Sequence, residues 1–294
     1  MNLNDSSMWD KVPDGANSHR HLYCGKDLTS AFDDGTFSAS VADGSFRDIF
    51  PGDYIIKKVT VPAVANNKTS TSEVKFIIAD LDVAMNQGST AVTAHHAVIV
   101  PEEPVLYTYM DTSGITEGCY ARSLMHDTVM PAFALGLFCA FGEEHLLKCS
   151  FDGADDSASD PLCCTCRLMT ISMVFGQTAL PDGNGGLTWS DVKKDNCLGG
   201  VQLAAFRLNH DLWFNAGPYW VSDLTSSSLS LTFVRATDND SDNDDDSDDD
   251  SDDFDDNDDD DDDDDDYTVS VSDPALLASW GHVLCGVRPF ALLI

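Results

Sequence analysis

The chain has 294 residues, 43% of them apolar, which is enough to bury the core of one large domain or two small ones. Its formal net charge of −35 is concentrated, because 22 aspartates fall between Asp238 and Asp266 and leave −13 for everything else. So acidic a chain, without a Lys/Arg cluster, excludes nucleic acid as a ligand; its best apolar run, "MPAFALGLFCAF" at 130–141, falls short of the roughly 18 to 20 residues of a membrane span.

The opening "MNLNDSSMWDKVPDG" has neither the basic nor the apolar stretch of an export signal, so synthesis in a cytoplasm is expected. The nine cysteines are then expected as reduced thiols rather than a disulfide framework. Residues 1–50 are candidates for a separate anchoring arm. Within them "SHRHLYCG" places His19 and His21 on one face if extended, a weak metal geometry without a visible third ligand.

Turn signals punctuate the chain at "DDG" (33–35), "DG" (43–44), "PGD" (51–53), "PDGNGG" (181–186) and "GG" (199–200). Between them "TFSASVA" (36–42), "DYIIKKVTV" (53–61), "VKFIIADLDV" (74–83) and "AVIVP" (97–101) have the β-branched content of strands. A single helical turn is expected around "GSFRDIF" (44–50). The longest helical candidate is 123–141, which Pro131 should end or kink near Met130. The expected fold class is α+β with short, mostly antiparallel strands.

His95 and His96 precede "AVIVP"; neighbours in an extended chain face opposite ways, so one is expected buried and one exposed, with no shared metal. The carboxylate pairs Glu102-Glu103 and Glu143-Glu144 are adjacent in sequence, a spacing that does not place two acids across a substrate. In "CSFDGADDSASDPLCCTC", Cys149, Cys163, Cys164 and Cys166 could offer thiolates to zinc, but adjacent cysteines fit a tetrahedral site poorly, and reduced thiols are favoured.

Trp189, Trp213, Tyr219 and Trp220 cluster in a turn-rich region beside Asp191 and Asn215. Aromatic faces backed by such polar groups suit sugar or protein recognition. Trp189, Asp191, Trp213, Asn215 and Tyr219 are therefore the candidate ligand-binding residues, while Trp220 is assigned to the core.

The aspartate tract is flanked by "SSSLSLTFVRA" (226–236) and "YTVSVSD" (267–273), both strand-like, which predicts a hairpin with an expanded acidic loop. Loop-closure entropy rises only logarithmically, so such an insertion costs about 1 to 2 kcal/mol beyond a short turn. Residues 238–266 are expected to be disordered, and 1–237 with 267–294 to form one domain. The tract lacks the glycine and terminal glutamate of an EF-hand loop, so weak, diffuse binding of Ca²⁺ or Mg²⁺ along Asp238 to Asp266 is expected, with no specific metal site and no other cofactor.

The stretches "WDKVPDGANSHRHLYCGKDLTSAFDDGTFSASVADGSFRDIFPGDYI", "IIADLDVAM", "TAHHAVIVPEEPV", "LMTISMVFGQT", "VQLAAFRLN", "YWVSDL" and the final "GVRPFALLI" occur in that order. Together they resemble a domain family found in virion proteins of tailed phages and in prophages, whose members typically end in a Gly-Val-Arg-Pro strand. The closing segment also resembles the terminal strand of C-type-lectin-like folds, including the formylglycine-generating branch.

The resemblance implies a C-type-lectin-like, non-enzymatic virion protein, a head or tail appendage that binds a bacterial surface glycan or protein and assembles with other virion proteins or as a homo-oligomer. Two alternatives stay open: a capsid cement without a receptor, and a formylglycine-generating-like enzyme for which Cys285 is the one cysteine near the resembling segment. A terminal strand of this kind should lie inside a sheet, with Arg288 needing a carboxylate or carbonyl partner.

Overall fold

A computed structural model of the chain describes residues 12–86, 92–110, 123–148, 165–181, 187–191, 201–214, 219–221, 233–234, 236–237, 268–269 and 285–294. Three short helices come first, α1 (Ala16–His19), α2 (Thr29–Asp33) and α3 (Thr36–Ala42). The last two follow the same device: the carboxylates of Asp27 and Asp34 accept from the amides of Thr29 and Thr36, so an aspartate turns the chain into each helix.

Residues 36–42, expected as a strand, are therefore helical. Gly35 at φ +82° sets the entry, and Phe37 and Val41, four apart, bury one helical face that outweighs the β character of the run. The helical turn expected around 44–50 is also absent, because Phe46 (φ +49°) and Asp48 (φ +58°) adopt left-handed backbone that a right-handed turn excludes. From Leu28 onward the segment considered as an arm contributes Leu28, Phe32, Phe37, Val41, Phe46 and Ile49 to the main core.

Strands β1 (Tyr54–Val61) and β2 (Ser70–Leu81) pair antiparallel from Tyr54↔Ile77 to Val61↔Ser70, and β2 pairs β3 (Ala97–Pro101) with a register shift between Ile78 and Asp80. After β4 (Leu106–Thr108) a π-helical turn, Met125–Val129, runs straight into α4 (Met130–Phe141). Pro131 thus marks a change of helix type rather than an end: it stands in the first turn of α4, where its missing N–H is tolerated.

A 3₁₀ turn at Glu143–His145 leads to β5 (Leu146–Leu147), then β6 (Cys166–Leu168), α5 (Ile171–Phe175), β7 (Gln177–Pro181), β8 (Leu187–Asp191), α6 (Ala204–Leu208) and α7 (Asp211–Phe214). The remaining strands are β9 (Tyr219–Trp220), β10 (Phe233–Val234), β11 (Ala236–Thr237), β12 (Thr268–Val269), β13 (Cys285–Val287) and β14 (Pro289–Leu293). The fold is α+β with mostly antiparallel strands. Strands β11 and β12, which flank the acidic tract, pair antiparallel through Ala236↔Val269 and Thr237↔Thr268. The tract itself lies outside the described residues.

The main sheet runs β1-β2-β3-β14-β5, with β6 also on β14; a second runs β10-β9-β13-β4. Alternation divides the main sheet between two cores. Phe76, Ile78, Ala97, Ile99, Ala291 and Leu293 face α2, α3 and α4, whereas Ile77, Ala79, Val98, Val100, Phe290 and Leu292 face α5 and α6. A strand covered on both faces reads as an uninterrupted apolar run, which is why "AVIVP" and "PFALLI" show no polar alternation.

Candidate functional site

Polar groups converge where the segment after α1, the 43–53 loop, the 82–96 loop and the start of α6 meet the rim of β2. Asp80 sits at the register shift of β2 and is fully buried. A buried carboxylate needs a counter-charge and several donors. Oδ1 accepts from Arg20 Nε and from the Leu81 amide at 2.8 Å, while Oδ2 accepts from Arg20 Nη2 at 3.0 Å and from the Ala204 amide at 3.0 Å. One carboxylate thereby ties α1, β2 and α6 together, and Arg207 adds a bond to the carbonyl of Arg20 at 3.0 Å.

Asp53, also fully buried, accepts from the amides of Lys26 (2.8 Å) and Phe50 (2.9 Å). Burial outweighs those bonds and pushes its carboxyl up to about 6. Half-buried Cys24 nearby is pushed up to about 12, by burial first and by the charge of Asp53 second, so its thiol stays protonated and a poor nucleophile.

In the 82–96 loop, Asp82 adopts φ +53° and its two oxygens meet His95 Nδ1 (2.7 Å) and the His96 amide (2.9 Å). His96 is buried and His95 partly exposed. The Ala84 amide donates to His96 Nε2 (3.0 Å), which fixes the proton on Nδ1, facing the Ala94 carbonyl at 3.0 Å. Burial lowers the pKa of this ring, and both nitrogens are engaged, so it stays neutral. The His95 ring rests on Gly44, where a Cβ would stand 2.5 Å from Nε2, and meets Phe46 edge-on at 6.0 Å.

One serine–histidine contact has the wrong geometry for a nucleophile. Ser38 Oγ lies 3.3 Å from His145 Nδ1, but that nitrogen donates to the main-chain oxygen of Ile294 at 3.2 Å, to which Ser38 Oγ also donates at 3.3 Å, and so cannot take the serine proton. Arg288 is fully buried, and two of its donors meet carbonyls: Nε donates to Pro101 (2.7 Å) and Nη1 to Leu212 (2.5 Å), with the guanidinium 5.1 Å from the centre of the Phe206 ring.

Of the candidate ligand-binding residues, Trp189 and Asp191 fall on β8, opposite Ala179 and Gln177 of β7. Trp213 falls in α7, Tyr219 in β9 beside Gly286 of β13, and Asn215 outside the described residues. Among the described residues the β7–β8 hairpin and the sheet holding β9 share no strand pairing. Trp220 pairs with Phe233 in register.

His19 is buried in α1, bonded through Nδ1 to the Ile49 carbonyl (2.9 Å) and stacked on Phe50, while His21 is exposed, so the two do not share a face. Cys166 is buried with Sγ 3.4 Å from the Met130 carbonyl; Cys149, Cys163 and Cys164 lie outside the described residues. Among the described residues no group of three or more His, Cys, Asp or Glu side chains is arranged to hold a metal, and no helix is long and apolar enough to cross a membrane.

The Arg20–Asp80 pair escapes sequence reasoning. An aspartate inside "FIIADL" signals a buried charge in want of a cation, but nothing in the spacing selects Arg20. Compared with known proteins, the chain matches no family model, no curated protein and no solved structure.

Proposed function

We propose that this chain is a non-enzymatic structural protein of a tailed-phage particle, a C-type-lectin-like head or tail appendage whose turn-rich segments touch a bacterial surface glycan or protein. The observation that carries the reading is the use of the Gly-Val-Arg-Pro segment. Val287 and Phe290 are buried, β14 sits in the middle of the main sheet, and Arg288 holds the carbonyls of Pro101 and Leu212. The segment on which the resemblance rests thus has an architectural role.

The same economy extends to Asp80, Asp53 and His96, whose polar atoms hold backbone in place, an arrangement suited to a rigid display scaffold. Recognition is then left to other residues, with Trp189, Asp191, Trp213, Asn215 and Tyr219 as the first to examine.

Two measurements test the reading. Mass spectrometry of purified particles should find the protein in stoichiometric amount. Purified protein should bind host cells and block infection, and Trp189→Ala should weaken both effects with the fold intact. Absence from particles would overturn the proposal; presence in particles without cell binding, together with fragile particles when the protein is missing, would make it a cement instead.

A further inference from the structure

The fully buried carboxylates Asp80 and Asp53 are provided for very differently. Asp80 has the guanidinium of Arg20 and the amides of Leu81 and Ala204. Asp53 has the amides of Lys26 and Phe50, one at each oxygen, and among the described residues no cation bonds to it. An ionised carboxylate buried in that way is costly, because neutral donors do not replace its hydration or supply a counter-charge. The ionisable groups that face it do not correct this. Lys26 sends Nζ to the Asp48 carbonyl, the Asp48 carboxylate adds a like charge, and the Cys24 thiol stays protonated. Around the same turn Tyr23 lies against Gly52, His19 stacks on Phe50, and β2 contributes the backbone of Ile78.

What covers Asp53 is itself a surface segment. None of residues 21–27 is buried, and Gly25, Lys26 and Asp27 are exposed, although the segment runs between fixed points: Arg20, held by Asp80, and Leu28, which is in the core. Main-chain groups fasten it to the turn beneath. The Cys24 amide donates to the Pro51 carbonyl (2.9 Å), the Lys26 amide to the Asp53 carboxyl (2.8 Å), and the Tyr54 amide to the Lys26 carbonyl (3.0 Å). Local opening draws on segments of this kind, with few buried apolar contacts and exposed backbone bonds.

We propose that residues 21–27 form a proton-controlled strap, held over Asp53 while that carboxyl keeps its proton and opening more readily, between Arg20 and Leu28, once the carboxylate forms. The protonated acid still has acceptor capacity for both amides, so the closed strap needs no rearrangement to hold it. The charged form gains water when the strap lifts, and the segment takes no buried residue with it. The device is independent of what the protein recognises.

The test is amide hydrogen exchange of the full-length protein from about pH 5 to 8, corrected for intrinsic rates, without and with about 1 M urea. The carboxyl titrates at about 6 when covered and at 3.8 when open, so the opening constant reported by the Cys24, Lys26 and Tyr54 amides should rise about tenfold across that range. Because a lifted strap exposes little surface, those amides should respond weakly to urea, unlike Leu292 in β14, which exchanges through unfolding of the whole molecule. Asp53→Asn, an uncharged mimic of the acid, should keep the three amides equally protected at every pH. An opening constant flat with pH in the wild type would overturn the proposal. So would a urea response as steep as that of Leu292, which would mean that the strap leaves only when the fold does, or a folded variant that keeps the tenfold rise. Should the variant fail to fold, the wild-type pH and urea profiles decide alone.

Discussion

Arg20 grips Asp80 with two guanidinium nitrogens across 60 positions of sequence, the arginine one-quarter exposed and the carboxylate fully buried. Removing the cation leaves a buried charge supported by amides alone. Arg20→Ala should therefore cost about 3 to 5 kcal/mol, less whatever solvent recovers at the exposed edge of the arginine. Arg20→Lys should restore only part of it, because an ammonium cannot span both oxygens. Urea denaturation of both variants, and of Asp80→Asn with Arg20→Ala, checks the coupling.

Asp53 makes stability depend on pH with an unusual sign. Its carboxyl titrates at 3.8 in the unfolded chain and at about 6 in the fold, so between those values the native state holds the extra proton. The resulting stabilisation is complete below 3.8 and is lost as pH rises through about 6. A carboxyl raised that far corresponds to about 3 kcal/mol between the two ends of the window. Asp53→Asn should abolish this slope, and the difference between wild-type and variant urea midpoints from pH 4 to 7 isolates it; parallel curves would remove Asp53 from the account.

Gly44 should not tolerate a methyl group. At φ +73° an alanine is strained by about 1 kcal/mol, and its Cβ would collide with the His95 ring. Gly44→Ala should lower the melting temperature more than strain alone explains. The added loss should disappear in Gly44→Ala/His95→Ala, leaving only the backbone cost.

Arg288→Met should destabilise the fold although the replacement is apolar and of similar length. It strips donors from the carbonyls of Pro101 and Leu212, and a buried acceptor left unpaired costs about 1 to 3 kcal/mol. A thermal shift no larger than that of an exposed substitution would refute the role assigned to the guanidinium.

Strand β14 should exchange its amide hydrogens at the slowest rate in the chain, since it bonds to β3 on one side and to β5 and β6 on the other. Removing residues 289–294 should abolish cooperative melting. Rapid exchange at Leu292 and Leu293 would contradict their central place.

What is legible in the sequence follows from how local its cause is. Tyr54–Val61 and Ala97–Pro101 emerge at nearly their true bounds because composition and flanking turns agree there. The burial of "GVRPFALLI" is legible because solvent would not leave such a run uncovered. Thr36–Ala42 misleads, since its residues look β-like singly and only the Phe37/Val41 spacing and the Asp34-Gly35 entry reveal the helix. Pro131 stands out as a break in the pattern, but what it does depends on the preceding π-helical turn, which no local pattern announces. Of the polar centre, Arg288 is visible as a charge in need of a partner, whereas Arg20–Asp80 and the Asp53 bonds join distant segments and arise from topology alone.

The seat of β14 also sets an order of events during synthesis. Arg288 and Pro101 meet although 187 positions separate them, so β3 leaves the ribosome long before its neighbour exists. Until then β3 is an apolar strand with an open edge, the kind of surface on which nascent chains clump. The aspartates of 238–266 come late in that interval, so their negative charge joins the unfinished molecule only shortly before its last strand is made.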